Sequence, residues 1–232
     1  FKDLQLSSLG LGCMRLPQLP DNGGIDEAMT AQMVEYCMKQ GVNYFDTAYV
    51  YHGGKSEVVM GQILSRYDRK SFYLADKFPG FDPTFFTKIP EIFEEQLGRC
   101  QVDYFDFYLC HNVCERNIDS YMDREIGIIP YFLEQKAAGR IKHLGFSCHG
   151  APDTLKAFLD YAGEPDAQGI MPVSGLHWKL LSGSGSRTGR IGNDCSSAVM
   201  QSWGQIGNSF RFTATQYMVR DRGYLPVGSY VS

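Results

Sequence analysis

Short apolar runs alternate with amphipathic stretches along the first 163 residues of the chain. LGLGC (9–13), VNYFDTA (42–48), SFYLADK (71–77), YFDFYLCH (104–111) and IKHLGFS (141–147) have the length and the aromatic or aliphatic content of buried strands. The intervening stretches have helical periodicity. In IDEAMTAQMVEYCMKQG (25–41), Met29, Met33, Val34, Cys37 and Met38 recur on one face, and Gly41 stands where the helix should stop. SEVVMGQILSRY (56–67) predicts a second helix with Ser56 as its N-cap, and PEIFEEQLGRC (90–100) a third with Pro90 in its first turn. IPYFLEQKAAG (129–139) and PDTLKAFLDYAG (152–163) complete the set, closed by Gly139 and Gly163. Strands separated by helices at intervals of roughly 30 residues predict parallel βαβ units, so the fold class is α/β.

The pattern breaks after Gly163. Residues 164–232 contain ten Gly and ten Ser but one Lys and one Glu, with neither strand alternation nor a long amphipathic helix. The best strand candidate there is IGNSFRFTATQYMV (206–219), and GLHWKLLSGSGSRTGRIGNDCSS (175–197) has the composition of a loop or linker. The chain therefore divides into residues 1–163, built of strand–helix units, and a divergent segment 164–232. A frameshifted or truncated reading, a disordered tail and a divergent tail that completes the fold are the competing explanations of that segment.

Composition narrows the class. A formal charge of −4, with no run of basic residues, argues against nucleic acid or anionic membranes as partners. No stretch of 18 apolar residues occurs, so no membrane span is expected. The chain opens FKDLQLSSLG, without the basic and apolar regions of a secretory signal, and its start at Phe suggests trimming. The seven cysteines are irregularly spaced, lie partly in apolar runs and include no CxxC pair, which favours buried free thiols and a cytoplasmic protein. Cys110, His111 and Cys114 could be imagined around a metal, but adjacent strand residues point to opposite faces, so no metal site is expected.

Candidate chemistry sits at the strand ends. Asp46 ends the second strand and is followed by Tyr49, Tyr51, His52 and two glycines; Lys77 ends the third strand and His111 the fourth. Each alone is more often a cap, a surface charge or a rim residue. In a parallel barrel, however, the C-terminal strand ends converge on one mouth, where such enzymes build their sites. A phenol titrating near ~10 is a poor proton donor at neutral pH, and a neighbouring ammonium makes it a better one. A carboxylate keeps the ammonium charged, and an imidazole can orient a carbonyl oxygen. Tyr51, Lys77, Asp46 and His111 together would make a tuned proton donor for a carbonyl accepting a hydride. No nucleophilic serine motif, Walker loop or HExxH competes.

At these residues the chain resembles the aldo-keto reductase family. The matching pieces are LGLGCMRLP (9–17), GVNYFDTAYVYHGGKSE (41–57), LADKFP (74–79), DYFDFYLCHN (103–112) and GRIKHLGFS (139–147), in the family's order across residues 4–163. YHGGKSE and GCMRLP look most like the bacterial "predicted oxidoreductase" branch. The resemblance implies a (β/α)8 TIM barrel, incomplete or aberrant after about residue 163, that binds NADPH (NADH being possible) and reduces a small-molecule aldehyde or ketone. It implies Tyr51 as proton donor, Lys77 and Asp46 as its tuning pair, and His111 as the group positioning the carbonyl. Gly12, Cys13, Met14 and Asp46 would lie near the nicotinamide ribose, and Ser147 near the carboxamide. The position after that serine is usually Asn and here is Cys148. The family's last three strand–helix units would need roughly 90 residues, and no match to them is visible after residue 163. A non-catalytic cofactor-sensing barrel and an inactive remnant are the alternative functions.

Overall fold

The computed structural model describes residues 4–162, apart from 8 and 22, together with 170–172. The described strands are β1 (Leu11–Gly12), β2 (Tyr44–Asp46), β3 (Tyr73–Phe78), β4 (Phe105–Val113), β5 (Ile141–Cys148) and β6 (Ile170–Pro172). The described α-helices are α1 (Glu27–Lys39), α2 (Lys55–Leu64), α3 (Ile89–Cys100), α4 (Ile118–Met122), α5 (Ile128–Ala137) and α6 (Pro152–Ala162). The boundary expected at residue 163 lies outside the described residues, as do the strand expected at 206–219 and the loop expected at 175–197.

The residues group into two compact units. One holds the chain up to Ala75 together with Arg99–Val102; the other holds Asp76–Gly98 and the described residues from Asp103 onward. In the first unit β1 pairs with β2 and β2 with β3, all parallel, with Gly12 opposite Asp46 and Asp46 opposite Ala75. In the second, β4 pairs with β5 and β5 with β6, again parallel. This is the βαβ arrangement that the alternation of apolar runs and amphipathic stretches predicts.

The local chemistry mostly follows the sequence. Asp26 caps α1 by accepting the Met29 N–H at 2.8 Å, and Thr30, Met33, Val34 and Cys37 form its buried face. Gly41 (φ 84°) and Gly139 (φ 77°) take the left-handed conformation that ends α1 and α5. β4 is buried from Phe105 to Cys110 without alternation, as expected of a strand covered on both faces.

Two expectations are corrected. Ser56 is not an N-cap: α2 begins at Lys55 after Gly54, and the Ser56 hydroxyl lies buried between the Thr47 hydroxyl (2.9 Å) and the Cys13 carbonyl (3.1 Å). The first strand is shorter than LGLGC, because the chain turns into a 3-10 turn at Cys13–Arg15. Two elements, α4 and β6, were not visible in the hydrophobic pattern; both are shorter than the windows over which periodicity can be read.

The core of the second unit is aromatic. Phe132 of α5 lies 4.8 Å from the Tyr108 ring and 5.3 Å from that of Phe78, and Phe93 of α3 meets Tyr108 edge-on at 5.1 Å. Phe132 is fully buried, so its ring makes both an area and a cavity contribution. Phe132→Ala is expected to destabilise the protein by about 3–5 kcal/mol, read as a lower urea midpoint at an unchanged denaturant slope.

Candidate active site

Asp46 and Tyr51 belong to the first unit. Asp46 is the last residue of β2, half-buried, with Gly12 of β1 as its register partner. Tyr51 follows in a 3-10 turn anchored by its N–H to the Ala48 carbonyl at 3.0 Å, and the residue is buried. The turn leaves that geometry through three left-handed residues, His52 (φ 51°), Gly53 (φ 65°) and Gly54 (φ 85°). Glycine adopts this conformation at little cost, whereas histidine does not. His52 is held there by its Nε2, which accepts the Leu16 N–H at 3.0 Å and ties the Tyr51 turn to the segment after β1. Burial holds the His52 imidazole below its usual pKa, which keeps it a neutral acceptor.

A part-buried ion pair supports the same loop. Glu57 of α2 is fully buried and accepts from the Arg99 guanidinium at 2.9 Å, and that guanidinium also stacks 4.7 Å over the Tyr49 ring. A Cβ at Gly54 would come within 3.1 Å of Arg99 Nη1, a tight contact that adds to the demand of its left-handed backbone angle. The sequence presents Glu57 and Arg99 as ordinary helix-surface charges. Their pairing across 42 residues could not be read from local spacing.

Lys77, His111 and Ser147 belong to the second unit. Lys77 is only 5% exposed although it carries an ammonium group. Its main chain is fixed twice, its N–H donating to Asp76 Oδ1 at 2.8 Å and its carbonyl accepting Gln96 Nε2 at 3.1 Å. Gln96 is itself oriented by a short hydrogen bond from the Tyr108 hydroxyl. His111, near the end of β4, packs edge-on against the Phe81 ring at 5.5 Å, and its Nδ1 is shielded from solvent. Its pKa is held well below the ordinary imidazole value, first by burial and then by the positive charge of Lys77 and by His149. The imidazole is therefore neutral at neutral pH, available to donate one hydrogen bond rather than to carry charge.

The end of β4 departs from regular pairing just beyond His111. The register with β5 shifts between Cys110 and Val113, where Asn112 is left-handed (φ 58°) and donates its N–H to Ser147 Oγ at 2.8 Å. Ser147 thus accepts from the main chain of β4 and still carries a hydroxyl proton. Of the other expected contacts, Cys13 is fully buried with its thiol turned to the Leu11 carbonyl, while Met14 is 48% exposed. Cys13 and Met14 lie beyond β1 rather than on it. Cys110, Cys114 and Cys148 are buried free thiols, and among the described residues no cluster of three or more His, Cys, Asp or Glu could hold a metal ion. No helix among them is long and apolar enough to cross a membrane.

Known proteins resemble this chain in sequence and in fold. The family model of the aldo/keto reductase family matches residues 8–172, beyond the last motif legible in the sequence. A probable aldo-keto reductase of Glycine max is 29% identical over 186 residues, covering 76% of this chain and 49% of the relative. An NADH-specific methylglyoxal reductase of Escherichia coli is 27% identical, covering 71% and 54%. Among solved structures, an aldo-keto reductase of Bacillus halodurans in its holo form superposes with a TM-score of 0.56 at 30% identity, covering 69% of this chain and 52% of that one. A Klebsiella pneumoniae aldo-keto reductase in complex with NADPH shares the fold at 20% identity and a TM-score of 0.53, covering 67% and 50%. The chain thus spans about half the length of the relatives it matches, and the described residues supply five strand–helix units and a sixth strand of the (β/α)8 barrel. On the strength of that match, the chain belongs to the aldo/keto reductase family.

Proposed function

We propose that this chain carries the catalytic portion of an NAD(P)H-dependent reductase of small aldehydes or ketones, with NADPH preferred and NADH possible. The observation that supports it most is the buried Lys77 ammonium beside a neutral His111, at the strand ends where the sequence also sets Asp46 and Tyr51. In the reaction, Tyr51 gives its phenolic proton to the carbonyl oxygen as the carbonyl carbon is reduced, yielding the alcohol. Lys77 stabilises the phenolate left behind, and Asp46 keeps Lys77 charged. His111 donates an N–H to the carbonyl oxygen and orients it without adding charge.

The residues present fit a nicotinamide cofactor. The Ser147 hydroxyl retains a proton for a carboxamide oxygen, and Asp46 and Gly12 are register neighbours where a ribose could be held. The buried Cys13 thiol cannot contribute a side-chain contact, so that segment would use Gly12, the Cys13 main chain and the exposed Met14. When bound, the cofactor supplies the hydride. The related E. coli protein is named NADH-specific and a Klebsiella neighbour was solved with NADPH, which supports either nucleotide.

Two measurements test this reading. With an aromatic aldehyde and NADPH, Tyr51→Phe should lower kcat by at least about 100-fold, the usual weight of a general acid, while cofactor affinity stays within threefold; retained turnover would overturn the assignment. His111 provides the second. Because burial keeps its folded-state pKa below the ordinary 6.5, the unfolded chain binds the extra proton first as pH falls. Its contribution to stability is complete above about pH 6.5 and is lost progressively below it. The Tm should therefore drop as the pH is lowered from 7 to 5, and by less in His111→Gln.

A further inference from the structure

Helix α4 lies between β4 and α5, and the proposed chemistry does not use it. It is entered through a tight turn in which the Cys114 N–H donates to Asn117 Oδ1 at 2.8 Å and Asn117 Nδ2 donates to the Asn112 carbonyl at 2.9 Å. The turn delivers Tyr121 into the interior, where it is fully buried. Its hydroxyl donates to the His111 carbonyl at 2.8 Å and lies 3.2 Å from the carbonyl of Phe78, the residue that follows Lys77. One proton is therefore shared between the main chains of β3 and β4 beside their two functional side chains.

The ring is fixed as tightly as the hydroxyl. A Cβ on Gly80 would stand 2.4 Å from Tyr121 Cζ, so the turn after β3 lies flat on the ring, where only glycine fits. Gly80 donates its own N–H to the same Phe78 carbonyl at 2.9 Å, and Phe158 of α6 packs edge-on to the ring from 6.2 Å. A buried hydroxyl bonded to two carbonyls is costly to lose, since its acceptors cannot reach water instead.

We infer that Tyr121 is a positioning residue, which sets the spacing of Lys77 and His111 by clamping the ends of their two strands without touching substrate or cofactor. The inference rests on the catalytic roles proposed for those two side chains. Misplacement of a catalytic group by about 1 Å can slow a reaction about 100-fold, and a hydroxyl between two strand ends opposes such drift.

The test compares wild type with Tyr121→Phe, which keeps the ring and removes the clamp, and with Gly80→Ala, which keeps the hydroxyl and displaces the ring. Folding is checked by circular dichroism. Both variants should lower kcat about tenfold with NADPH affinity changed less than twofold. NMR titration of the unliganded protein should show the His111 imidazole titrating at higher pH than in wild type, as the influence of Lys77 weakens; His149, which also faces His111, is unaltered in both. Unchanged kcat with an unchanged His111 titration would overturn the clamp. If wild type proves unable to oxidise NADPH, the reductase reading fails, and the His111 titration alone decides whether Tyr121 sets the spacing.

Discussion

An ammonium group held almost out of water governs this protein. Lys77 is 5% exposed at the end of a strand, and burying such a charge is costly unless the surroundings make use of it. The structure around it fixes the main chain that carries it. Asp76 and Gln96 hold its main chain, Tyr108 holds Gln96, and the Tyr121 hydroxyl bonds the carbonyl of the next residue. The same positive charge is one reason why His111 stays neutral. A neutral imidazole beside a buried cation suits the carbonyl-orienting role proposed for His111.

In the first unit the problem is the backbone. Tyr51 lies on a turn that must pass through three consecutive left-handed residues before α2 can begin. Gly53 and Gly54 accept that geometry freely, whereas His52 needs the hydrogen bond from Leu16. The part-buried Glu57–Arg99 pair and the guanidinium stacked on Tyr49 brace the far side of the loop. Breaking that pair on one side would strand a charge in the interior, which is why such pairs hold a loop's conformation more firmly than surface ion pairs do.

The strands and long helices were legible because each has a period of its own, as in the continuously buried β4 or the Met33–Val34–Cys37 face of α1. Asp46, Lys77 and His111 were legible as polar residues closing apolar runs. What escaped was short or tertiary. The five residues of α4 and the three of β6 are too few to show periodicity. Ser56 carries the signature of a cap, yet its hydroxyl serves a buried network with Thr47 and Cys13. Ser147, expected near a carboxamide, also pins the irregular end of β4 through Asn112, a bond between positions 35 residues apart that no local pattern records.

If the Lys77 charge sets the working range of Tyr51 as proton donor, the pH dependence of NADPH oxidation differs between wild type and Lys77→Met. Wild-type turnover should fall off well below the ordinary phenol range, and the residual turnover of Lys77→Met should persist to about pH 10 before falling. Turnover that declines at the same pH in both proteins would contradict it.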